Sequence, residues 1–325
     1  MALLIRAFPR LHFSLIDLSR TGYRMYGGIG ASIDAFPIEL TFEACPIVDL
    51  QILRSSEYAR GDIEKLERRL TSAMEKRDLK LGVRLVEAHG VLLHVGLGTG
   101  TRVALSCVEA LFRLNDVWID ETELKWLSGR GGASGQGLHT YFHGGLCLDI
   151  GKKRDGLDFL SSDSQDTLCS LPTTVGAIPK IIWPLVVVVP KVSGKVSVLA
   201  ESKYFASATP IEDIAVFEAA YVALFGIYGG ALDEDYKAFC HGLNRLQQLP
   251  WKSGETALHG SELQQRIELA RQEGADAVIM SSIGPTFACA SLQPELLALR
   301  LISRFDDATV VVTNVRSQGR EISNA

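Results

Sequence analysis

The chain has 325 residues, of which 47% are hydrophobic and 22% charged, and a formal net charge of -5. That length suits two domains of ordinary size, and that balance suits a globular protein with a sizeable core, which excludes disordered and fibrous classes. The acidic total argues against a nucleic-acid partner but leaves room for an anion in a local basic pocket.

Six cysteines, at positions 45, 107, 147, 169, 240 and 289, never fall at CxxC spacing. They read as reduced thiols of a cytoplasmic protein without disulfides or a structural zinc site. The apolar start, residues 1–13, lacks a basic n-region and reads as a first strand, not a signal peptide. The apolar run from Ile181 to Val189 is broken by Pro184 and is too short to cross a bilayer as a helix. It suits a buried strand, and no membrane partner is expected.

Taken in chain order, residues 1–45 carry partial alternation and predict β structure over Arg10–Leu18 and Ala35–Phe42. Between them, Gly27, Gly28 and Gly30 predict a loop whose backbone approaches something closely. Ile63, Leu66, Leu70 and Met74 mark an amphipathic helix over 62–76. A strand over 83–88 leads into Gly96-Leu97-Gly98-Thr99-Gly100-Thr101, and 102–114 reads as a helix. A second glycine-rich loop spans Ser128–Gly137. Tyr141–Ile150 reads as a hairpin turning at Gly144-Gly145. The polar stretch 155–176 holds the domain boundary, giving domains 1–175 and 176–325. The second half reads as a strand over 183–190, helices over 211–225, 233–249 and 262–273, and a strand over 277–280. A third loop, Ser281–Thr286, then leads into a helix resuming near Leu292, and a last strand covers 309–315. Strands and helices mix in both halves, so the fold class is α+β.

The loop at 96–101 carries the functional argument. Alternate glycines expose consecutive N–H groups, threonine hydroxyls add donors, and the following helix N-terminus favours an anion such as phosphate. It lacks the Gly-Lys-Thr/Ser ending of a Walker A loop and does not fit GxGxxG. A plain glycine turn opening a helix is the alternative, weakened because three such loops occur in one chain.

This loop, placed after a strand, resembles the central phosphate-binding motif of the GHMP kinase superfamily. The resemblance is closest to the β-ribofuranosylaminobenzene 5′-phosphate synthases. It rests on Arg10-Leu11-His12-Phe13 with Asp17-Leu18, on Tyr26–Gly30, on Gly96–Thr101, and on Gly129-Arg130-Gly131 through Ser134-Gly135. It continues with His143-Gly144-Gly145, Asp149 and Ser281–Thr286, and so spans nearly the whole chain. It implies a two-domain α+β fold with the active site in the cleft between domains, and a homodimer. It also implies a reaction: phosphoribosyl pyrophosphate condenses with 4-aminobenzoate or 4-hydroxybenzoate, releasing pyrophosphate and carbon dioxide, toward methanopterin-type cofactors. The expected partners are thus a small phosphorylated substrate and an aromatic acid, with Mg2+ on the pyrophosphate.

One departure separates the chain from kinases of that superfamily such as mevalonate kinase, which place an Asp base two residues after Ser-Gly. Here Gly137 stands there, and loss of a base costs about 10²–10⁴-fold in rate. Transfer of a ribosyl group is favoured accordingly. An ATP-dependent small-molecule kinase with another base is the first rival, and a non-catalytic metabolite sensor on the same fold is the second.

The predicted phosphate-binding set is Gly28, Gly30, Gly96, Gly98, Thr99, Gly100, Thr101, Arg130, Ser134, Ser282 and Gly284. Arg24 and Arg130 offer planar forks of donors for oxyanions, or are solvated surface arginines. Asp17 is a candidate for magnesium or for a cationic centre, or else a turn aspartate. Asp149, flanked by apolar residues, is a candidate catalytic carboxylate, or else an outward residue of an alternating strand. Asp17, Arg24 and Asp149 form the predicted catalytic group. His139 and His143 share a strand face and lack a third metal ligand. Lys152-Lys153-Arg154 reads as a solvated turn, and Ser281, Ser282 and Thr286 bind an anion or cap a helix.

Overall fold

The computed structural model describes residues 2–55, 60–154, 158–161, 170–191 and 196–325, the side chains of 55 and 198 excepted. The first four strands are β1 (Ala2–Ala7), β2 (Arg10–Asp17), β3 (Arg24–Ser32) and β4 (Ile38–Cys45). Helix α1 (Arg60–Lys76) buries Ile63, Leu66 and Leu70 of the predicted stripe, with Ala73 buried in the last turn and Met74 half-buried. Strand β5 (Gly82–His89) then leads to α2 (Thr99–Leu114), α3 (Glu121–Ser128), α4 (Gln136–His143) and β6 (Leu146–Asp149). The short β7 (Lys152–Lys153) and β8 (Thr174–Ile178) follow.

Then come β9 (Leu185–Pro190), α5 (Val198–Ala208), α6 (Asp213–Tyr221), a π-helical segment (Val222–Tyr228) and α7 (Gly229–Leu232). The chain continues through α8 (Tyr236–Gln248), α9 (Pro250–Ala257) and α10 (Gly260–Gln272). It ends with β10 (Ala277–Met280), β11 (Phe287–Ala290), α11 (Pro294–Arg304), β12 (Ala308–Thr313) and β13 (Glu321–Asn324).

Among the described residues three antiparallel sheets form, in the orders β13-β1-β4-β5, β2-β3-β6-β8 with β7 beside β3, and β10-β11-β9-β12. Helices segregate against them, which makes the fold α+β. The principal core joins the second and third sheets, from Leu11, Ile29 and Leu148 to Val187, Ala223 and Ile279. Val186 and Val188 point the other way, into a separate cluster with Ile267 and Leu301. Strand β9 is therefore buried on both faces, and its unbroken apolar run follows from that. Strand β13 returns to pair with β1, so the last residues complete the first sheet.

Several expectations need correcting. Gly27, Gly28 and Gly30 belong to β3, not to a loop. The close approach is real, but what approaches Gly30 is Gln136, whose Oε1 would lie 2.2 Å from a Cβ at that position. Residues 141–150 are no hairpin. Helix α4 ends at Gly144, whose φ of 68° and ψ of -152° suit only glycine, and β6 follows. His139 and His143 thus sit one helical turn apart, with ring centroids 4.9 Å apart. The basic run is not a solvated turn: Lys152 is buried with its Nζ over the Tyr26 ring, and Arg154 donates to Gly22 O and Ser19 O. The Ser281–Thr286 loop precedes strand β11, so its hydroxyls do not cap a helix. Of the stretch read as irregular, 155–157 and 162–169 lie outside the described residues, and 174–178 is strand.

Candidate active site

Helix α2 begins beyond Gly98, an N-cap in the left-handed region (φ 71°) that has no side chain to cap the first turn. The N–H groups of that turn therefore face a cavity of about 180 Å³ with their hydrogen-bonding capacity open. Gly96, Gly98, Thr99, Gly100, Thr101 and Arg130 line it, together with Ser282 from the third loop. Both halves of the chain contribute to its wall.

The glycines at 96 and 98 are dictated by neighbours. A Cβ at Gly96 would fall 2.3 Å from Ser281 O. The third loop is sewn to this one: Ser281 Oγ donates to Gly96 O at 2.8 Å and accepts from His12 N at 3.0 Å, while Ser282 N donates to His12 O at 2.7 Å. Gly284, with φ 72°, shapes the same turn next to His259.

Beneath Gly98 lies Arg10, a residue singled out by neither charge nor spacing. Its Nη1 donates to Gly96 O at 3.0 Å, its Nε has no partner, and burial lowers its pKa to about 10. It remains cationic at neutral pH and places one positive charge under the glycine loop. Its alternation with His12 on β2 was the available signal. His12 is buried with Nδ1 unpartnered, and burial first, then Arg10 and Lys252, hold its imidazole well below the ordinary range, hence neutral.

A second missed group is the ion pair of Lys252 and Glu255 on α9. Lys252 is fully buried, and its Nζ donates to Glu255 Oε2 and to Ser282 O, both at 2.7 Å. Burial lowers the Lys252 pKa and raises that of Glu255. No linear pattern marks these residues, because only the tertiary fold brings α9 under the third loop.

The predicted catalytic group gathers elsewhere. Asp17 closes the β2–β3 turn, its Oδ1 accepting from Ser19 N and Oγ and its Oδ2 from Arg24 N. Arg24 Nε donates to Ile150 O at 2.8 Å and its Nη2 to Gly151 O at 3.0 Å. Asp149 is fully buried, against the reading of an outward strand residue. Burial raises its pKa to about 7 although Gly151 N, Gly135 N and Ser134 Oγ all donate to it. These three residues line a mainly apolar cavity of about 250 Å³ with Ile16, Leu148 and Leu224. Ser134 faces Asp149, and Gly28 and Gly30 face Gln136, so none of the three lines the glycine-loop cavity. The loop from Arg130 to Gly135 links the two cavities.

Gly137 lies in the first turn of α4, where a Cβ would come 3.2 Å from Thr101 Cγ2 and 3.4 Å from Arg102 Nη1. A carboxylate base has no easy place there. The arrangement offers an anion cradle with a buried cation beneath it, and a separate carboxyl titrating near neutrality.

No protein-family model matches the chain. Curated relatives do. The beta-ribofuranosylphenol 5'-phosphate synthase of Methanothermobacter thermautotrophicus is 25% identical over 326 residues, covering 98% of this chain and 97% of its own. That of Archaeoglobus fulgidus is 25% identical over 324 residues, covering 98% of each. The chain is thus similar to these synthases over nearly its whole length. Among solved structures, homoserine kinase from Cytophaga hutchinsonii matches with a TM-score of 0.69 at 15% identity, covering 99% of this chain and 97% of that one. Mevalonate diphosphate decarboxylase from Staphylococcus aureus matches with 0.66 at 11% identity, over 99% and 98%. These likenesses carry the fold alone, a GHMP-kinase-like α+β architecture.

Proposed function

We propose that the protein condenses phosphoribosyl pyrophosphate with 4-hydroxybenzoate or 4-aminobenzoate, releasing pyrophosphate and carbon dioxide. The relatives are named for a ribosylated phenol, which favours the hydroxy acid as acceptor. The observation that carries this reading is the cradle at the α2 N-terminus, with Arg10 under Gly98 and no base at Gly137. It suits a leaving pyrophosphate and does not suit deprotonation of an alcohol.

In this reading the ring carbon bearing the carboxylate supplies the electron pair that bonds ribose C1. The C1–oxygen bond breaks with its pair going to pyrophosphate. The carboxylate carbon then leaves as carbon dioxide, returning its bonding pair to the ring. The first-turn amides of α2, Thr99, Thr101, Arg130 and Arg10 hold the phosphate oxygens and stabilise charge as it develops on them. Arg24 takes the acceptor's carboxylate. Asp149, when ionised, stabilises positive charge developing on the ribose.

Among the described residues, no cluster of three or more His, Cys, Asp or Glu could hold a metal by itself. Mg2+ is expected to arrive on the pyrophosphate, since it usually takes phosphate oxygens, waters and only one or two carboxylates. Asp62 and Glu201 line the glycine-loop cavity and are the residues that would hold it. It would neutralise charge on the leaving group. The five described cysteines are free and buried, which fits a reducing, cytoplasmic setting, and a homodimer is part of the proposal.

Phosphorus NMR tests the reading. With magnesium, phosphoribosyl pyrophosphate and either benzoate, acceptor-dependent release of pyrophosphate is expected. A silent reaction there, with ADP formed from ATP and a small alcohol, would replace the synthase by a kinase.

A further inference from the structure

The second sheet has an apolar face and a polar one. Leu11, Ile29 and Leu148 point into the principal core. Alternation turns Arg10, His12, Gly28, Gly30 and Asp149 to the other face, where the register sets His12 opposite Gly30 and Asp149 opposite Gly28. Gln136, from the first turn of α4, lies fully buried against that face. A Cβ at Gly28 would meet Gln136 Nε2 at 2.6 Å and His12 Nε2 at 3.4 Å, so the two side chains converge on one spot. Neither end of the Gln136 amide has a hydrogen-bond partner, and neither has His12 Nδ1. Buried amides and imidazoles are nearly always paired, and orphans among them mark a place for a partner from outside the chain.

The pair stands between the two cavities. Arg10, two residues before His12 on β2, lines the glycine-loop cavity. Asp149, which accepts from the N–H of Gly135 next to Gln136, lines the apolar one. In the reaction proposed above the ribose spans that interval, its pyrophosphate on the cradle and its C1 facing the acceptor. The chemistry along the row follows the same order. A cation sits under the phosphates, a carboxyl sits by the developing positive charge, and groups without net charge lie between, since burial keeps the His12 imidazole neutral. Uncharged donors and acceptors suit sugar hydroxyls. We propose that Gln136 and His12 hold the 2-hydroxyl of the phosphoribosyl substrate, and so select ribose over 2-deoxyribose. The 2-hydroxyl is the one next to C1, and C1 must lie between Arg10 and Asp149 as these side chains do. Gln136 Oε1 accepts a hydrogen bond from it, and the imidazole N–H donates one to its oxygen. The Gln136 amide is free to turn off the two glycines toward the sugar, having no hydrogen bond to break. The proposal rests on the reading of the substrate as phosphoribosyl pyrophosphate.

Isothermal titration calorimetry of the intact chain with ribose 5-phosphate and 2-deoxyribose 5-phosphate tests this, magnesium pyrophosphate being present throughout. The wild type should bind the ribose sugar about tenfold or more tightly, because a site built around a hydroxyl leaves its own groups unpaired against the deoxy analogue. Gln136→Met keeps the length of the side chain and should bring the two affinities within about threefold of each other. If circular dichroism shows that variant unfolded, His12→Phe carries the same expectation. The Kd for pyrophosphate alone should stay at the wild-type value in both, since the glycine loop and Arg10 hold it. Equal affinity for the two sugars in the wild type, or a preference that survives both substitutions, overturns the proposal and leaves the synthase reading in place. Loss of the preference together with looser pyrophosphate binding means that the pair only braces the sheet face, and overturns it too. A wild type that binds neither sugar and releases no pyrophosphate from phosphoribosyl pyrophosphate overturns the synthase reading, and the proposal with it.

Discussion

The guanidinium of Arg10 lies directly under the Cα of Gly98: a Cβ at position 98 would meet its Cγ, Nε and Cζ at 3.2 Å each. The residue that opens β2 and the residue that caps α2 are thereby locked, and one buried charge is held against the helix N-terminus.

Gly98→Ala disturbs both partners of that lock. A non-glycine residue in the left-handed region costs about 1–2 kcal/mol, and Arg10 must move as well. The KM for phosphoribosyl pyrophosphate is expected to rise about tenfold or more, the factor that about 1.4 kcal/mol represents. Thr99→Ala should move it in the same direction. Steady-state kinetics with the acceptor saturating measure both, and wild-type values in the two variants would remove the glycine loop from the site.

Arg24→Ala should act on the other substrate. Loss of a hydrogen bond to a charged group is worth roughly 1.5–3 kcal/mol, or about 10–100-fold in affinity. The KM for 4-hydroxybenzoate should rise by that factor while the KM for phosphoribosyl pyrophosphate stays level. An equal change in both would mean that Arg24 only braces the Ile150–Gly151 backbone to which it is bonded.

The parts of this protein that its sequence makes legible are local. The alternating glycines before α2 specify an anion site because the needed groups, backbone amides and hydroxyls, are adjacent in the chain. The glycine density of β3 correctly signals close approach, but linear order cannot say whether a ligand or Gln136 does the approaching. Gly144-Gly145 reads as a turn between strands because a helix of only two turns, such as α4, carries too little periodicity to compete. Arg10, Lys252 and Glu255 stay hidden for a different reason. Their burial is a tertiary fact, and a lysine on a helix is solvated in most contexts.

Asp149 links activity and stability with opposite signs. Burial raises its pKa from 3.8 to about 7. Its protonated form is therefore favoured in the folded chain, and the stability it contributes is fully present below about pH 4 and lost as pH rises toward 7. If its carboxylate supports the developing ribosyl cation, kcat/KM should climb with pH through about 7 and then level. Asp149→Asn should flatten that limb of the profile and also flatten thermal stability between pH 4 and 7. A profile unchanged by the substitution would assign the inflection to another group.

The Lys252–Glu255 pair separates a brace from a binding group. Neither side chain lines the glycine-loop cavity, yet Lys252 holds the carbonyl of Ser282, which does. Lys252→Met leaves Glu255 buried without its cation, and breaking a buried pair in this way costs about 3–5 kcal/mol. Adding Glu255→Leu removes the stranded charge, so the double variant should recover most of the loss in chemical denaturation. The Ser282 carbonyl stays untethered in both. The KM for phosphoribosyl pyrophosphate should therefore remain raised in the double variant even where stability returns. Recovery of both together would mean that the pair serves the core and not the third loop.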